Sequence, residues 1–449
     1  MRIQGRGTIF FGLVIIIISL LIAACGNNRS AGTSTASGPA SVVPVARTLA
    51  PLPVRPLSPK LKAMRERAMR TASQLRELDF KDEVGMTELS GWEYGTRTRE
   101  MAEVLGGDEL RALGKLAAQG GALPEGIDLP QLAASFTAVT AGATYSPLDK
   151  QILLVDKNKD DSLLAHEFVH ALQDQNFDLM KLLVVRPYNF DRTEAVFALI
   201  EGDAMNVQRR AEEGDAYGRK SLEEIMRQEN NRFGDYRKEV GQLFPPLLTE
   251  TFIFRYRDGA RFVESVRRSK GERGVDELFR RPPVSSEQVL HPEKYAQAEA
   301  PRDVELDESA FAAAGWRGVT STPLGEIGIR GLLMAGVAER DAARAAAGWG
   351  GDRAYLFERA SNGSGQPLFV WKTVWDRPLD AEEFFQTYNA LQRSRNAAQA
   401  GDQLTNTDEA RMVWREDGHV TLVDRAGGSV IIIRGAEADL NAALELARR

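Results

Sequence analysis

The stretch that decides the fold is Asp161-Ser162-Leu163-Leu164-Ala165-His166-Glu167-Phe168-Val169-His170-Ala171-Leu172. Its apolar residues recur at helical spacing, and Asp161 or Ser162 can cap the helix that this pattern predicts. His166 and His170 are four residues apart, so both imidazoles project from one face of the helix, as two ligands of a tetrahedral zinc must. Glu167 lies about 100° round the helix, beside the metal. The spacing predicts a zinc site with Glu167 as general base.

A zinc site of this kind needs a third ligand, and the sequence offers two glutamates. The helix continues through residues 171–174 as ALQD, which excludes the metzincin arrangement. Glu201 falls in an apolar helical run, where an unpaired carboxylate would be costly unless it met a cation. Glu194, two turns earlier, is the rival ligand, but apolar residues flank it less closely. We expect Glu201 to bind the metal, and Gly202 to let its helix approach the motif helix closely.

These motifs, HExxH followed some 30 residues later by a helical Glu-Gly-x-Ala, resemble those of the gluzincin clan of zinc metallopeptidases. More narrowly, residues 166–175 (HEFVHALQDQ) and 201–204 (EGDA) resemble a group of uncharacterised bacterial gluzincin-like proteins. The resemblance extends to residues 282–292 (PPVSSEQVLHP) and, least specifically, to residues 348–353 (GWGGDR). It implies a zincin-like fold and a peptidase activity with Zn²⁺ as cofactor, but it names no substrate.

By that resemblance the zinc ligands are His166, His170 and Glu201, with Glu167 as the general base. Asp203 or Asp174 could orient a ligand imidazole from behind, although a solvated surface acid is the simpler interpretation of either.

The oxyanion formed in peptide hydrolysis needs a second electrophile besides the metal. His291 is our first candidate and Tyr295 the second. For His291, a structural hydrogen bond at a helix end before Pro292 is the alternative.

Residues 145–155, just before the motif helix, predict a hairpin or an edge strand with its turn at residues 147–150. As an edge strand, residues 152–155 could align an extended peptide by backbone pairing, and an ordinary core strand is the alternative. Residues 156–160 resemble the start of an EF-hand calcium loop, but Asp161 stands where that loop needs glycine. That interpretation also leaves the two histidines unexplained, so a solvated loop accounts better for these charges.

The N-terminus has the features of a bacterial lipoprotein signal. Arg2 and Arg6 precede an apolar run over residues 9–22, and Ala23, Ala24 and Cys25 follow. A run of about 14 apolar residues is short of the ~20 that span a bilayer, whereas a basic start and small residues before a cleavage site describe a secretory signal. We expect lipidation at Cys25, the only cysteine, and a lipid-anchored, extracytoplasmic location in the cell envelope.

The chain of 449 residues is predicted to be α+β, and it divides into five segments. They are a signal peptide (1–24), a flexible tether (25–59), an N-terminal helical or α+β region (60–135), a zincin-like, mainly helical catalytic domain with a small edge-strand sheet (136–300), and a C-terminal α+β domain (301–449). In the last segment the pattern predicts antiparallel strands at residues 353–359, 368–375, 412–416, 419–424 and 429–434, and helices from Asp380 and Ala436.

Together these features predict a membrane-anchored zinc peptidase acting on a peptide or protein. A net charge of −6 with no long basic run argues against a nucleic-acid partner. The alternative is a non-catalytic zinc-binding lipoprotein that serves as a binding or structural module. An intact Glu167 argues against it, because a closed structural zinc site has no use for a base.

Overall fold

The computed structural model describes residues 49–140, 142–155, 161–184, 187–360, 365–397, 405–408, 410–416 and 418–449. The predicted signal peptide, Cys25, the tether up to residue 48, the loop 156–160 and the turn at 362–363 lie outside the described residues. No helix in the described part is long and apolar enough to cross a membrane. The chain is mixed α+β, with a mostly helical N-terminal part and a C-terminal antiparallel sheet, which confirms the predicted class.

The N-terminal part consists of helices and three short strands, and the helical character predicted between residues 193 and 295 is confirmed. In chain order its elements are α1 (Pro59–Arg76), β1 (Gly85–Glu88), α2 (Gly91–Gln119), α3 (Leu129–Thr140), β2 (Ala143–Ser146), β3 (Gln151–Leu154), α4 (Asp161–Phe177), α5 (Leu179–Leu183), α6 (Phe190–Glu213), α7 (Asp215–Arg219), α8 (Leu222–Val240), α9 (Pro246–Ile253), a π-helical turn (Phe254–Asp258), α10 (Gly259–Arg280), α11 (Ser286–Leu290) and α12 (Pro292–Ala296).

The C-terminal part is a seven-stranded sheet in the order β4-β5-β6-β10-β9-β8-β7, in which every neighbouring pair is antiparallel. Its elements are α13 (Glu308–Ala313), β4 (Trp316–Thr322), α14 (Gly325–Leu333), α15 (Glu339–Ala346), β5 (Trp349–Arg359), β6 (Leu368–Trp375), α16 (Pro378–Ala397), β7 (Thr405–Asp408), β8 (Arg411–Glu416), β9 (His419–Ala426), β10 (Ser429–Gly435) and α17 (Glu437–Ala447). All five predicted strands are present, and β4 and β7 are additional.

The second sheet is small and lies next to the motif helix. The predicted hairpin is confirmed, because β2 pairs antiparallel with β3, with Tyr145 opposite Ile152. The edge-strand interpretation of residues 152–155 is wrong: β1 pairs parallel with the other side of β3, which makes β3 the central strand. Strand β2 is the edge strand closest in sequence to α4. Because β1 comes from the segment 60–135, the two predicted N-terminal segments share this sheet.

Helix α4 is enclosed on nearly all sides, with every residue from Ser162 to Asp174 buried. Helix α1 covers one side, where Met64, Ala68 and Ala72 belong to the same apolar cluster as Leu164 and Phe168 of α4. Other neighbours of α4 are β2 and α6. A helix that is apolar on most sides is stable only inside a protein, so α4 is the centre around which the N-terminal part is built.

Helix α6 crosses α10 at two glycines. A Cβ placed on Gly202 would lie 2.2 Å from the carbonyl carbon of Gly259, and one on Gly259 would lie 2.1 Å from the carbonyl oxygen of Ala198. Gly202 therefore does permit a close helix approach, but the prediction that its partner would be the motif helix is wrong. The crossing fixes the position of α6 relative to α10, and with it the position of Glu201, the residue before Gly202.

The two parts of the chain meet at the buried carboxyl group of Asp191. Asp191, near the start of α6, accepts a hydrogen bond from the backbone nitrogen of Ser286 at 2.9 Å. A Cβ on Gly325 would lie 1.8 Å from the Asp191 Oδ1 atom, and the φ of Gly325 is 67°, so the start of α14 needs glycine here. Asp352 of β5 in turn accepts from the backbone nitrogens of Leu324 and Gly325, both at 2.9 Å.

Candidate metal centre

His166, His170 and Glu201 come together in the interior of the N-terminal part, and each side chain is 0–1% exposed. The Glu201 Oε2 atom lies 3.2 Å from His166 Nε2 and 3.4 Å from His170 Nε2, and the two Nε2 atoms are 3.1 Å apart. A tetrahedral zinc with bonds of about 2.0–2.1 Å separates its ligand atoms by roughly 3.3 Å. The three atoms thus have the spacing of one face of such a site.

Two elements supply this triangle. His166 and His170 are one turn apart on α4, with ring planes at 87° and ring centroids 4.8 Å apart. Glu201 comes from the middle of α6, which packs against α4. Rigid helices on both sides hold the ligand atoms in place, and the set of two imidazoles and one carboxylate leaves a fourth position open on a tetrahedral metal.

The electrostatics of the triangle favour a cation. Burial opposes the charge of Glu201, but His170 and His166 together hold its pKa at about 2. Burial also opposes a charge on His170, whose pKa Glu201 nevertheless raises to about 9, whereas burial lowers the pKa of His166. Within the described residues Glu201 has no ion pair with lysine or arginine. In the described part of the chain, the partners of this buried carboxylate are two imidazoles and the Tyr256 hydroxyl, and a carboxylate in such surroundings is suited to a metal ion.

Glu194, the rival ligand, has a different partner. Arg255 of the π-helical turn holds its two carboxylate oxygens in a buried bidentate pair, with Nε–Oε2 at 2.7 Å and Nη2–Oε1 at 2.6 Å. The guanidinium also lies over the ring of Phe197 at 4.7 Å. The structure therefore brings Glu201, and not Glu194, to the two histidines.

Glu167 lies beside the triangle and is 1% exposed. Its Oε2 atom accepts a hydrogen bond of 2.8 Å from the backbone nitrogen of Tyr145 in the edge strand β2. This contact holds the carboxylate beside the face of α4 that carries the two histidines. Glu167 is not one of the three residues of the triangle. The position suits a group that takes up and returns a proton.

A glutamine fixes the tautomer of one ligand. Gln173 donates through Nε2 to the carbonyl oxygen of Ile200 and to Asp203 Oδ2, both at 3.0 Å. Its amide oxygen therefore faces His170 Nδ1, 2.9 Å away. Because that oxygen can only accept, Nδ1 carries a proton, and in the neutral imidazole that binds a metal the lone pair of Nε2 points to the metal position.

The solvated-surface interpretation of Asp203 and Asp174 is wrong, since they are 2% and 5% exposed. Among the described residues, neither has a hydrogen bond or ion pair with an imidazole. Asp203 accepts from Arg76 Nε at 2.9 Å, and Asp174 accepts from the Tyr145 hydroxyl at 2.7 Å and Lys150 Nζ at 2.6 Å. Donors from distant parts of the chain stabilise both charges in the interior, which a single helical pattern cannot reveal.

The two predicted electrophiles lie elsewhere. His291 Nε2 is 3.0 Å from Glu326 Oε2, and the Tyr295 hydroxyl donates to the carbonyl oxygen of Arg281 at 2.7 Å. Within the described residues, neither has a hydrogen bond or ion pair with a ligand of the triangle. Their role in catalysis stays a prediction.

Tyr256 is a site residue that the sequence did not indicate. Its ring stacks on His166, with centroids 6.1 Å apart and planes at 17°, and it is fully buried. Burial raises its pKa well above the ordinary value, and the charges of Glu201 and Glu167 raise it further. The residue belongs to the π-helical turn, a local geometry frequent at functional sites, whereas regular α-helical periodicity gives it no special place.

A comparison with known protein families gives a match in the C-terminal part of the chain. A family model described as a domain of unknown function, DUF8575, matches residues 317–445. This range covers the C-terminal sheet from β4 to α17 and none of the metal-centre residues. No curated protein and no solved structure matches the chain. The C-terminal part is thus similar to a domain described by no activity, and the function of the metal centre must be argued from its own geometry.

Proposed function

We propose that this protein is a zinc-dependent peptidase with a zincin-like catalytic part. The observation that carries the proposal is the triangle of His166 Nε2, His170 Nε2 and Glu201 Oε2, with sides of 3.1–3.4 Å. Two imidazoles and a carboxylate are a typical ligand set of catalytic zinc. The resemblance of HExxH on α4 and of the glutamate on α6 to gluzincins supports the same assignment.

Zinc, when bound, would supply a Lewis acid that activates water and polarises a carbonyl group. Glu167 would take the proton of the attacking water and pass it to the leaving amine nitrogen. Its hydrogen bond from Tyr145 keeps one carboxylate oxygen in place while the other exchanges the proton. The Tyr256 hydroxyl, which has a hydrogen bond with Glu201 and lies near the charge of Glu167, is suited to stabilise the developing oxyanion. We prefer it to His291 because it lies at the site.

The proposed location is the outer side of a membrane. The lipobox-like run ending at Cys25 would anchor the chain, and helix α1 begins at Pro59. Residues 49–58 already contact the folded part, since Leu52 packs against its core and Arg97 donates to the carbonyl oxygen of Ala50. The proposed tether is therefore the 23 residues from 26 to 48, for which an r.m.s. reach on the order of 25 Å is expected. The substrate would be a peptide or protein within that distance of the membrane surface.

One observation favours the alternative, a zinc-binding lipoprotein without catalysis. His166, His170, Glu167 and Glu201 are each at most 1% exposed, so the site as folded is enclosed. Exclusion of solvent suits a structural site, although structural zinc has four protein ligands and this centre offers three. A peptidase with this centre must open to admit its substrate.

The experiment that separates the two starts from full-length protein purified from membranes. Zinc content is measured for the wild type and for Glu167→Gln, and both are incubated with envelope proteins whose new amino termini are then identified by mass spectrometry. The proposal expects about one zinc per chain in both proteins, and cleavage products with the wild type only, since loss of a general base costs about 10²–10⁴-fold in rate. Equal product patterns would favour the non-catalytic alternative, and wild type without zinc would end the proposal.

A further inference from the structure

Arg76, the last residue of α1, is charged and yet completely buried. Its guanidinium contacts three acids on two other helices. The Nε atom is 2.9 Å from Asp203 Oδ2 on α6, and Nη2 and Nη1 are 2.7 Å from Asp276 Oδ1 and 3.4 Å from Glu272 Oε2 on α10. A buried guanidinium with this many partners is held in one orientation, so the end of α1 has a fixed position between α6 and α10.

The contact with Asp203 leads to the metal centre in two further hydrogen bonds. Asp203 Oδ2, which accepts from Arg76, also accepts from Gln173 Nε2 at 3.0 Å. The oxygen of the same Gln173 amide lies 2.9 Å from His170 Nδ1. One carboxylate oxygen thus joins the end of α1 to the amide that sets the tautomer of a metal ligand.

The charge of Arg76 is what makes this arrangement tolerable. Asp203 and Glu272 face each other, and burial together with the charge of Asp203 raises the pKa of Glu272. Arg210 pairs with the other oxygen of Glu272 at 2.6 Å, but Asp203 has its ion pair with Arg76. Without that guanidinium the Asp203 carboxylate would be buried with amide donors only, which is costly, and it would no longer be held as the acceptor for Gln173.

If Asp203 is displaced, Gln173 Nε2 keeps the Ile200 carbonyl oxygen as an acceptor but loses Asp203 Oδ2, so the amide is held less firmly and the rotated form, with Nε2 toward His170, becomes more populated. His170 Nδ1 would then have to accept, and the proton would move to Nε2, the atom that must bind the metal. We infer that Arg76 is a positioning residue for the metal ligand His170, and that helix α1 is thereby a functional part of the metal centre. The inference rests on the proposed metal site, but it does not depend on peptidase activity.

The docking of α1 offers a matched control. Arg67, on the same helix, pairs with Asp161 at the start of α4 at 2.7 Å, so it also joins α1 to the motif helix. Arg67 and Asp161 are both nearly half-exposed, and no hydrogen bond continues from Asp161 to a ligand within the described residues. Arg67→Gln therefore removes a charge and an α1–α4 contact while leaving the connection to His170 intact.

The experiment measures the zinc dissociation constant of the full chain by equilibrium competition with a chromogenic chelator. Arg76→Gln and Gln173→Met should each weaken zinc binding by about 10–100-fold, the usual cost of losing a partner behind a ligand, whereas Arg67→Gln should stay within about twofold of the wild type. Arg76→Lys, which keeps the charge next to Asp203, should recover most of the affinity.

Each outcome has a distinct meaning. If Arg76→Gln and Arg67→Gln bind zinc equally well, Arg76 is a structural residue only and the inference is overturned. If Arg76→Gln fails to fold, Gln173→Met decides, because it keeps the Arg76–Asp203 pair and removes the amide alone. Wild type that binds no zinc would overturn the proposed function and the inference together, which distinguishes that failure from the first.

Discussion

Gly202 and Gly259 are in direct contact where α6 crosses α10: a Cβ on Gly202 would lie 2.2 Å from the Gly259 carbonyl carbon. Glu201, the residue before Gly202, is the carboxylate of the candidate metal centre. The distance between two helix backbones therefore determines where the proposed third ligand lies.

Gly202→Ala should separate the two helices and displace Glu201. Overpacking at a buried crossing costs about 1–3 kcal/mol or more, and we expect the free energy of unfolding in urea to fall by about 3 kcal/mol, with weaker zinc binding. Gly234→Ala on α8 is the control, since a Cβ there meets nothing within 4 Å and alanine favours a helix by about 0.5–1 kcal/mol. Equal stability of the two variants would contradict the crossing.

Glu201→Gln and Glu194→Gln should give opposite results. The first removes the carboxylate that lies 3.2 Å from His166 Nε2, so zinc should be absent after dialysis. The second leaves Arg255 buried without its carboxylate, so the unfolding free energy should drop by about 3 kcal/mol or more while zinc stays bound. Metal analysis and urea denaturation on the same samples test this pair. If Glu194→Gln lost zinc and Glu201→Gln kept it, Glu194 would be the ligand instead of Glu201.

Tyr256→Phe should lower the catalytic rate and leave zinc binding unchanged. The phenyl ring keeps the stacking on His166, so zinc content should be unchanged. Loss of a single oxyanion donor costs about 10²–10³-fold in kcat, and under the proposed function we expect a reduction of that order with little change in KM. Unchanged kcat would return the electrophile role to His291 or Tyr295, each of which can then be tested as an alanine variant.

Asp191→Asn should flatten the pH dependence of stability. Burial, and next the charge of Asp352, raise the pKa of Asp191 to about 8 from 3.8. Between these values the folded chain keeps a proton that the unfolded chain has released, so the free energy of unfolding falls as pH rises through this window. From pH 5 to pH 8 the wild type should lose on the order of 3 kcal/mol more than the variant. Parallel urea titrations at both pH values, with the exposed Asp235→Asn as control, measure the difference.

What the sequence predicts well is local. His166 and His170 share a face because a helix has 3.6 residues per turn, and the strands around Gly427-Gly428 follow from alternation and a turn signal. Glu201 was predicted because burying an unpaired carboxylate costs free energy in any fold. The strands that were missed, β4 and β7, are short or largely polar and lack a clear apolar alternation.

What the sequence could not predict depends on distant partners. The pairing of Gly85 with Gln151, which makes β3 a central strand, joins segments that no local pattern relates. The same is true of the partner of Gly202, which proved to be α10 instead of α4. Tyr256 was missed for a different reason: a π-helical turn changes the angular position of every residue in it, and the spacing of side chains along the sequence contains no mark of that change.

The enclosure of the metal centre should also limit the rate at which a bound ion is released. An ion held by side chains that solvent cannot reach leaves only when the surrounding helices part. The rate at which a chelator strips such a chain should then reach a plateau as chelator concentration rises, because the opening step limits it. The lifetime of the zinc-loaded protein would then depend on the joint movement of α1, α4 and α6. The three ligand atoms would determine only its affinity for zinc.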